Sequence, residues 1–259
     1  MDSHFSAAGS ELDGSRRPCW HEEVRAVSLG YFTFVLHSHL PYVRLAGRWP
    51  HGEEMLHQAI AETYIPLLNA LYDLKAEGYH PQLTIGLTPI LLEQLADDDV
   101  RDHFDMYLEE RLTLIEADLA RFAEAGDEHL LYLARFYHAW YSDIRDSFRD
   151  RYKRDLVAAF RLLQEADSLE IITSAATHAY LPLLSRDSSI YGQLEAGAGA
   201  YWQRLNTAPQ GIWLPECGYR PAFLEGERYR PGIEEFLADL NLQYFFTDTH
   251  AIRGGRLVG

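Results

Sequence analysis

Cysteine is nearly absent: Cys19 and Cys217 are the only two in 259 residues. Two thiols cannot make a disulfide framework, and their scarcity fits a reducing cytoplasm, the expected compartment. Basic residues are also few, 23 Lys and Arg against 39 Asp and Glu, for a formal net charge of −16. Such a surface repels phosphate backbones and anionic headgroups, so neither nucleic acid nor a membrane is an expected partner. A neutral substrate suits it better than a phosphorylated one. No apolar run is long enough to span a bilayer. The N-terminus lacks the basic region and apolar core of a signal peptide. Residues 1–27, rich in Ser, Gly, Glu and Arg without periodicity, read as a flexible leader outside the fold.

What is present is ordinary for a soluble globular chain, 47% hydrophobic and 24% charged, at a length that can bury one large core. Short β-favouring runs at 29–36, 82–87, 168–174, 211–214 and 242–246 predict five strands. Between them the apolar spacing predicts helices at 52–77, 90–95, 189–206 and 231–240. A further helical stretch, 100–161, is broken near Gly126 and around 149–153. Pro66 predicts a kink in the first helix. The stripe Tyr132, Phe136, Trp140 and Phe148 reads as core packing. Strands alternating with helices predict an α/β fold with a parallel sheet or barrel. Five strands are too few to close a barrel of the usual size, so residues 28–259 read as the N-terminal part of something longer.

Each strand runs into residues that can do chemistry, and in α/β folds the carboxyl ends of strands are where active sites collect. The stretch Gly211-Ile212-Trp213-Leu214-Pro215-Glu216-Cys217-Gly218-Tyr219 ends a buried run and turns at Pro215 and Gly218, which presents Glu216 just past the strand. Trp213 and Tyr219 flank the carboxylate and would hold it in a semi-apolar, sugar-sized cleft. A lone glutamate in such a loop is ordinarily a solvated surface group; the cluster around it makes it a candidate. The first strand ends in His37-Ser38-His39-Leu40-Pro41. Side chains alternate along extended chain, so His37 and His39 point the same way. Such a pair can bind a metal or hydrogen-bond the hydroxyls of a polar substrate. Trp49 follows in a loop that would form a cleft wall. His178 repeats the theme after the third strand, and Thr247-Asp248-Thr249-His250 ends the fifth.

Four local matches, His37–Tyr42, Thr177–Leu184, Trp213–Tyr219 and Thr247–His250, resemble glycoside hydrolase family 57. The similarity runs from about Leu29 to the end of the chain. The resemblance implies a (β/α)7 TIM-like barrel, incomplete at its C-terminal end in this chain, and no cofactor or obligatory metal. It implies a retaining transglycosylase acting on α-glucans (amylose, glycogen, maltooligosaccharides), foremost one that cleaves α-1,4 and forms α-1,6 linkages. An α-amylase or 4-α-glucanotransferase is the alternative within the family. Glu216 matches the nucleophile; His37, His39 and His178 match positions lining the attacked sugar; Trp49 matches a cleft aromatic. Trp213, Tyr219 and Asp248 complete the expected binding residues. Retention needs a second carboxyl group about 5–5.5 Å from the nucleophile. The family's acid/base lies in a later motif, and Asp248 does not correspond to it. From other classes, a zinc-dependent deacetylase or mannosidase-like enzyme would use His37, His39 and Asp248 as ligands. It lacks the aspartate such sites place beside the first histidines. A non-catalytic glucan-binding protein is the remaining alternative.

Overall fold

The structure, a computed structural model, describes residue 30 and residues 32–48 and 51–251. The proposed leader, 1–27, and Trp49 lie outside the described residues. The chain divides into two units, 1–32 and 33–259, and the elements below belong to the second.

Strand β1 (Val35–Ser38) is followed by α1 (Glu53–Ala59), a π-helical turn at Ile60–Tyr64, and α2 (Ile65–Ala76). The widened turn directly precedes Pro66, the position where the sequence predicts a kink. Proline has no N–H for the carbonyl four residues back, and its ring crowds that carbonyl. A π turn makes room without ending the helix. Then come β2 (Thr84–Leu87), α3 (Pro89–Leu95), and the long hairpin of α4 (Asp98–Ala125) and α5 (Glu128–Asp146). A second π turn, Ser147–Arg151, leads to α6 (Leu156–Glu165). Asp97, Asp127 and Asp155 cap α4, α5 and α6, each accepting a backbone N–H from the first turn at 3.1, 3.0 and 2.9 Å. The remainder is β3 (Glu170–Ile172), α7 (Asp187–Leu205), β4 (Gly211–Trp213), β5 (Phe223–Glu225), β6 (Arg228–Arg230), α8 (Ile233–Asp239) and β7 (Tyr244–Phe246).

Strands β1, β2 and β3 pair in parallel, as do β4 and β7. Thr173 joins the two groups: its N–H donates to Gly211 O at 3.1 Å, and Trp213 N–H donates to Thr173 O at 2.9 Å. The result is one α/β sheet in the order β1-β2-β3-β4-β7, all parallel. Among the described residues it is an open sheet, not a closed barrel. The first strand starts later than its apolar sequence predicts, at Val35, and Phe34 is 60% exposed. Among the described residues β1 is paired on one edge alone, so its apolar run is not enclosed as a central strand would be. The antiparallel pair β5–β6, unanticipated, turns tightly at Gly226 and Glu227.

Two apolar cores flank the sheet. The larger packs α1–α4 and α6 against β2 and includes Leu68, Leu92, Phe104 and Phe160, all fully buried. Each such side chain contributes about 1.5–3 kcal/mol relative to exposure. The smaller gathers Ile190 and Leu194 of α7, Ile212 of β4 and Ile233 of α8. The predicted aromatic stripe divides: Phe148, in the π turn after α5, is buried and Trp140 leans on the core, but Tyr132 and Phe136 are 64% and 49% exposed. The face of α5 that packs inward carries Ala134, Tyr141 and Ile144, which leaves the first two aromatics on the open side.

Helix α7 closes directly over the end of β3, because Gly197 lets its backbone meet the backbone oxygen of Ser174. Thr173 Oγ1 also donates to Gly197 O at 3.3 Å. A Cβ at Gly197 would overlap that oxygen, and both partners are backbone. Gly197→Ala is expected to destabilise the fold by about 1–3 kcal/mol, despite alanine's better helix propensity. Thermal denaturation tests this; an unchanged or raised Tm would contradict the close packing.

Candidate active site

Parallel pairing sends every strand's carboxyl end to one edge of the sheet, and the histidines and Glu216 meet there. His37 lies in β1, His39 just beyond it, and His178 in the loop after β3. Alternation along β1 puts His37 and His39 on one side, where both reach the same third ring. The rings form one continuous stack. His39 and His178 lie 3.9 Å apart at 18°, His178 and His37 5.2 Å apart at 23°, and His37 and Trp213 4.8 Å apart at 16°. Phe246 of β7 extends the stack beyond Trp213, at 5.4 Å and 23°.

Glu216 stands in a turn set by Pro215 and held by Leu214 O and Pro215 O, which accept from Cys217 N at 2.8 Å and Gly218 N at 3.0 Å. Thr247 Oγ1 donates to Cys217 O at 2.8 Å and ties the turn to the end of β7. Glu216 and Cys217 both have positive φ, 52° and 54°, and so does His178, at 58°. Such a backbone costs about 1–3 kcal/mol per residue and persists only where the surroundings hold it. Gln193 of α7 holds the histidine loop: its Oε1 accepts from Thr177 N at 3.0 Å and from Thr177 Oγ1 at 3.1 Å. The two loops touch through Gly218, where a Cβ would run into the Tyr180 ring.

The Glu216 side chain is 74% exposed, whereas that of His178, 3.8 Å away through Nε2, is 5% exposed. The sequence expects Trp213 and Tyr219 to flank Glu216 in a semi-apolar, sugar-sized cleft; in the structure its side chain is largely open to solvent. Both aromatics turn elsewhere, Trp213 into the ring stack and Tyr219 onto Phe245 at 5.7 Å. Burial, and then the Glu234 carboxylate beside it, push the Tyr219 phenol up to about 12. Asp248 follows β7, near enough to Cys217 that its charge helps raise the thiol, after burial. Trp49 belongs to the undescribed residues. Ser174, Gln193, Tyr180 and Phe246 were given no site role from the sequence, since each has a contact here with a segment distant along the chain.

Burial lowers the basicity of all three stacked histidines. His37 and His178 are brought down to about 4, helped by His39 beside each and, for His178, by His37 as well. His39 is lowered by burial against an opposing pull from Glu216. At 3.8 Å His178 and Glu216 fall within ion-pair range, yet the carboxylate is solvated and the ring is buried against two other imidazoles. The contact is therefore between a carboxylate and a neutral ring. Among the described residues no group of three or more His, Cys, Asp or Glu is arranged to hold a metal ion. Neutral imidazoles and an exposed carboxylate offer acceptors and donors to an uncharged, hydroxyl-rich ligand.

Histidines whose folded basicity is depressed bind protons more weakly than in the unfolded chain, where the pKa is about 6.5. Their stability contribution is complete above about 6.5 and is lost as pH falls below it, for His37 and His178 towards about 4. Buried His57, also lowered to about 4, adds to this slope. Melting temperature is expected to fall between about pH 6.5 and 5, and less steeply in His178→Gln. Equal slopes in the two proteins would contradict the neutral buried ring.

The family model described as Glycosyl hydrolase family 57 matches residues 33–256. A 1,4-alpha-glucan branching enzyme of Thermococcus kodakarensis is 42% identical over 234 residues, 87% of this chain and 33% of that protein. The crystal structure of a GH57-type branching enzyme from Pyrococcus horikoshii superposes with a TM-score of 0.81 at 46% identity, covering 87% of this chain and 43% of that one. An alpha-amylase structure from Thermotoga maritima gives a TM-score of 0.71 at 33% identity, covering 85% and 40%. The chain thus spans roughly a third to two fifths of the length of these relatives. Over nearly all of its described fold, the chain belongs to glycosyl hydrolase family 57.

Proposed function

We propose that residues 28–259 are the N-terminal part of a (β/α)7 TIM-like catalytic barrel, preceded by a leader at 1–27, and that they carry the nucleophile half of an α-glucan transglycosylase. The reaction is 1,4-α-glucan branching: an α-1,4 bond is broken, the chain is held on the enzyme, and an α-1,6 bond is made. The observation that carries this reading is the meeting of three neutral imidazoles with Glu216 at the carboxyl end of the sheet. The identity to branching enzymes over 87% of the chain supports the same assignment.

In this reading Glu216 attacks the anomeric carbon, and the chain beyond the broken bond leaves. Glu216 follows β4 in a turn with left-handed backbone, and solvent exposure keeps its carboxylate reachable. His37, His39 and His178 hydrogen-bond the hydroxyls of the attacked sugar, which neutral rings do without attracting anions. Trp213 backs the stack, Tyr219 packs on Phe245 beside the turn, and Asp248 and Trp49 are assigned to sugar binding, the latter as a cleft aromatic. A second carboxyl group about 5–5.5 Å from Glu216 serves as acid and then base. We place it outside these 259 residues, in the remaining length of the longer relatives. α-Glucan (amylose, glycogen, maltooligosaccharides) is the partner, and no cofactor takes part. The alpha-amylase likeness favours one second reading, in which water takes the sugar instead of a hydroxyl acceptor. The cytoplasm, where glycogen is made, is the proposed location.

Amylose treated with the chain, and with Glu216→Gln, is followed by iodine colour, reducing ends and α-1,6 branch points. The expected result is that the 259-residue chain binds amylose without altering it, and that Glu216→Gln binds about equally well. In a longer protein that contains these residues, the same substitution is expected to lower turnover by about 10³-fold or more, since an amide cannot form the intermediate. Retention of turnover would remove Glu216 from the mechanism. Reducing ends without branch points would favour the amylase reading.

A further inference from the structure

Ser174 follows β3 and is 1% exposed. Its hydroxyl has two partners: Trp213 O at 2.8 Å and His178 Nδ1 at 3.2 Å. A carbonyl oxygen only accepts, so the Ser174 proton goes to Trp213. A hydroxyl has one proton, and what it offers His178 is therefore a lone pair. Nδ1 has to supply the proton in that contact. The opposite tautomer would set two lone pairs against each other in a buried place, where an unmatched polar group costs about 1–3 kcal/mol.

We propose that Ser174 is a positioning residue which locks His178 as the Nδ1–H tautomer, so that a bare Nε2 faces Glu216 and accepts a hydroxyl proton from the sugar bound there. The tautomer follows from hydrogen bonding alone; the role towards sugar rests on the glucan reading given above. Which imidazole nitrogen carries the proton is set by the bond the other makes. The gap between Nε2 and Glu216 Oε1 is 3.8 Å, too long for a hydrogen bond, as two facing acceptors require. An Nε2–H would instead bond to the carboxylate and hold back the oxygen that must attack. With Nε2 bare, both acceptors remain free, and the group that fits beside them is a donor, which a sugar hydroxyl is. The basicity of His178 is low enough that the ring stays neutral near pH 7. His178 N–H donates to Ala175 O at 3.0 Å and fixes the backbone; Ser174 fixes the proton.

The test is a long-range proton–nitrogen correlation spectrum of the full chain with 15N-labelled histidines near neutral pH. The 12 histidines are sorted by the loss of one pattern in His178→Gln. The wild-type His178 pattern is expected to be that of the Nδ1–H tautomer; an Nε2–H pattern would overturn the proposal by itself, with no variant needed. In Ser174→Ala the pattern is expected to become mixed or to switch, and in Ser174→Thr, which keeps the hydroxyl, to remain. An unchanged pattern in Ser174→Ala would overturn the role of Ser174. Maltoheptaose affinity by calorimetry is expected to drop about tenfold in Ser174→Ala and to recover in Ser174→Thr. Nδ1–H in a wild-type chain that binds no maltoheptaose would support the tautomer and overturn the assignment of its Nε2 to sugar.

Discussion

The two backbone hydrogen bonds at Thr173 are the joint on which the rest depends. Without them the structure would be a three-stranded and a two-stranded sheet, each with its own core. With them β4 runs parallel beside β3, and the loop bearing His178 comes against the turn bearing Glu216. Ser174, one residue further on, repeats the same connection with a side chain, donating to Trp213 O. Gly197 then allows α7 to close over this joint and lets Gln193 hold the histidine loop from the other side. The fold and the site share their hydrogen bonds at this place.

Much at the site runs against local preference. Three non-glycine residues, His178, Glu216 and Cys217, have left-handed backbones, and three imidazoles are stacked where burial keeps them neutral. None of this would persist in an isolated loop. It is offset by the buried side chains of the two cores and by bonds such as Thr247 to Cys217 and Gln193 to Thr177. The neutrality of the rings suits an uncharged ligand, and so does a net charge of −16.

The alternation of strands and helices was legible because each strand carries a short apolar run and each helix a 3.6-residue stripe. The end of α4 followed from the glycine at 126, whereas the capping roles of Asp97, Asp127 and Asp155 emerge from the structure. His37 and His39 could be placed on one face from extended geometry alone, and Pro215 and Gly218 marked the Glu216 turn. Four particulars were not legible. The start of β1 depends on whether a neighbour covers Phe34, which its own sequence does not record. Tyr132 and Phe136 have helical spacing, but spacing does not say which side another helix takes. The π turn before Pro66 is a local widening that a proline within a helical pattern does not specify. The ring stack joins His37 and His39 to His178 and Trp213, and the Ser174 bond reaches Trp213, all distant along the chain, so those contacts exist once the strands have paired.

The central claim is that Glu216 is the carboxylate that bonds to sugar. The most direct measurement treats this chain with a 5-fluoro-α-glucosyl fluoride and locates any adduct by peptide mass spectrometry. Fluoride leaves without help from an acid, so the nucleophile is tested apart from its partner. A single glycosyl ester on the peptide containing Glu216, missing in Glu216→Gln, is the result this account expects. An adduct on another carboxylate, or one that survives in Glu216→Gln, would contradict it.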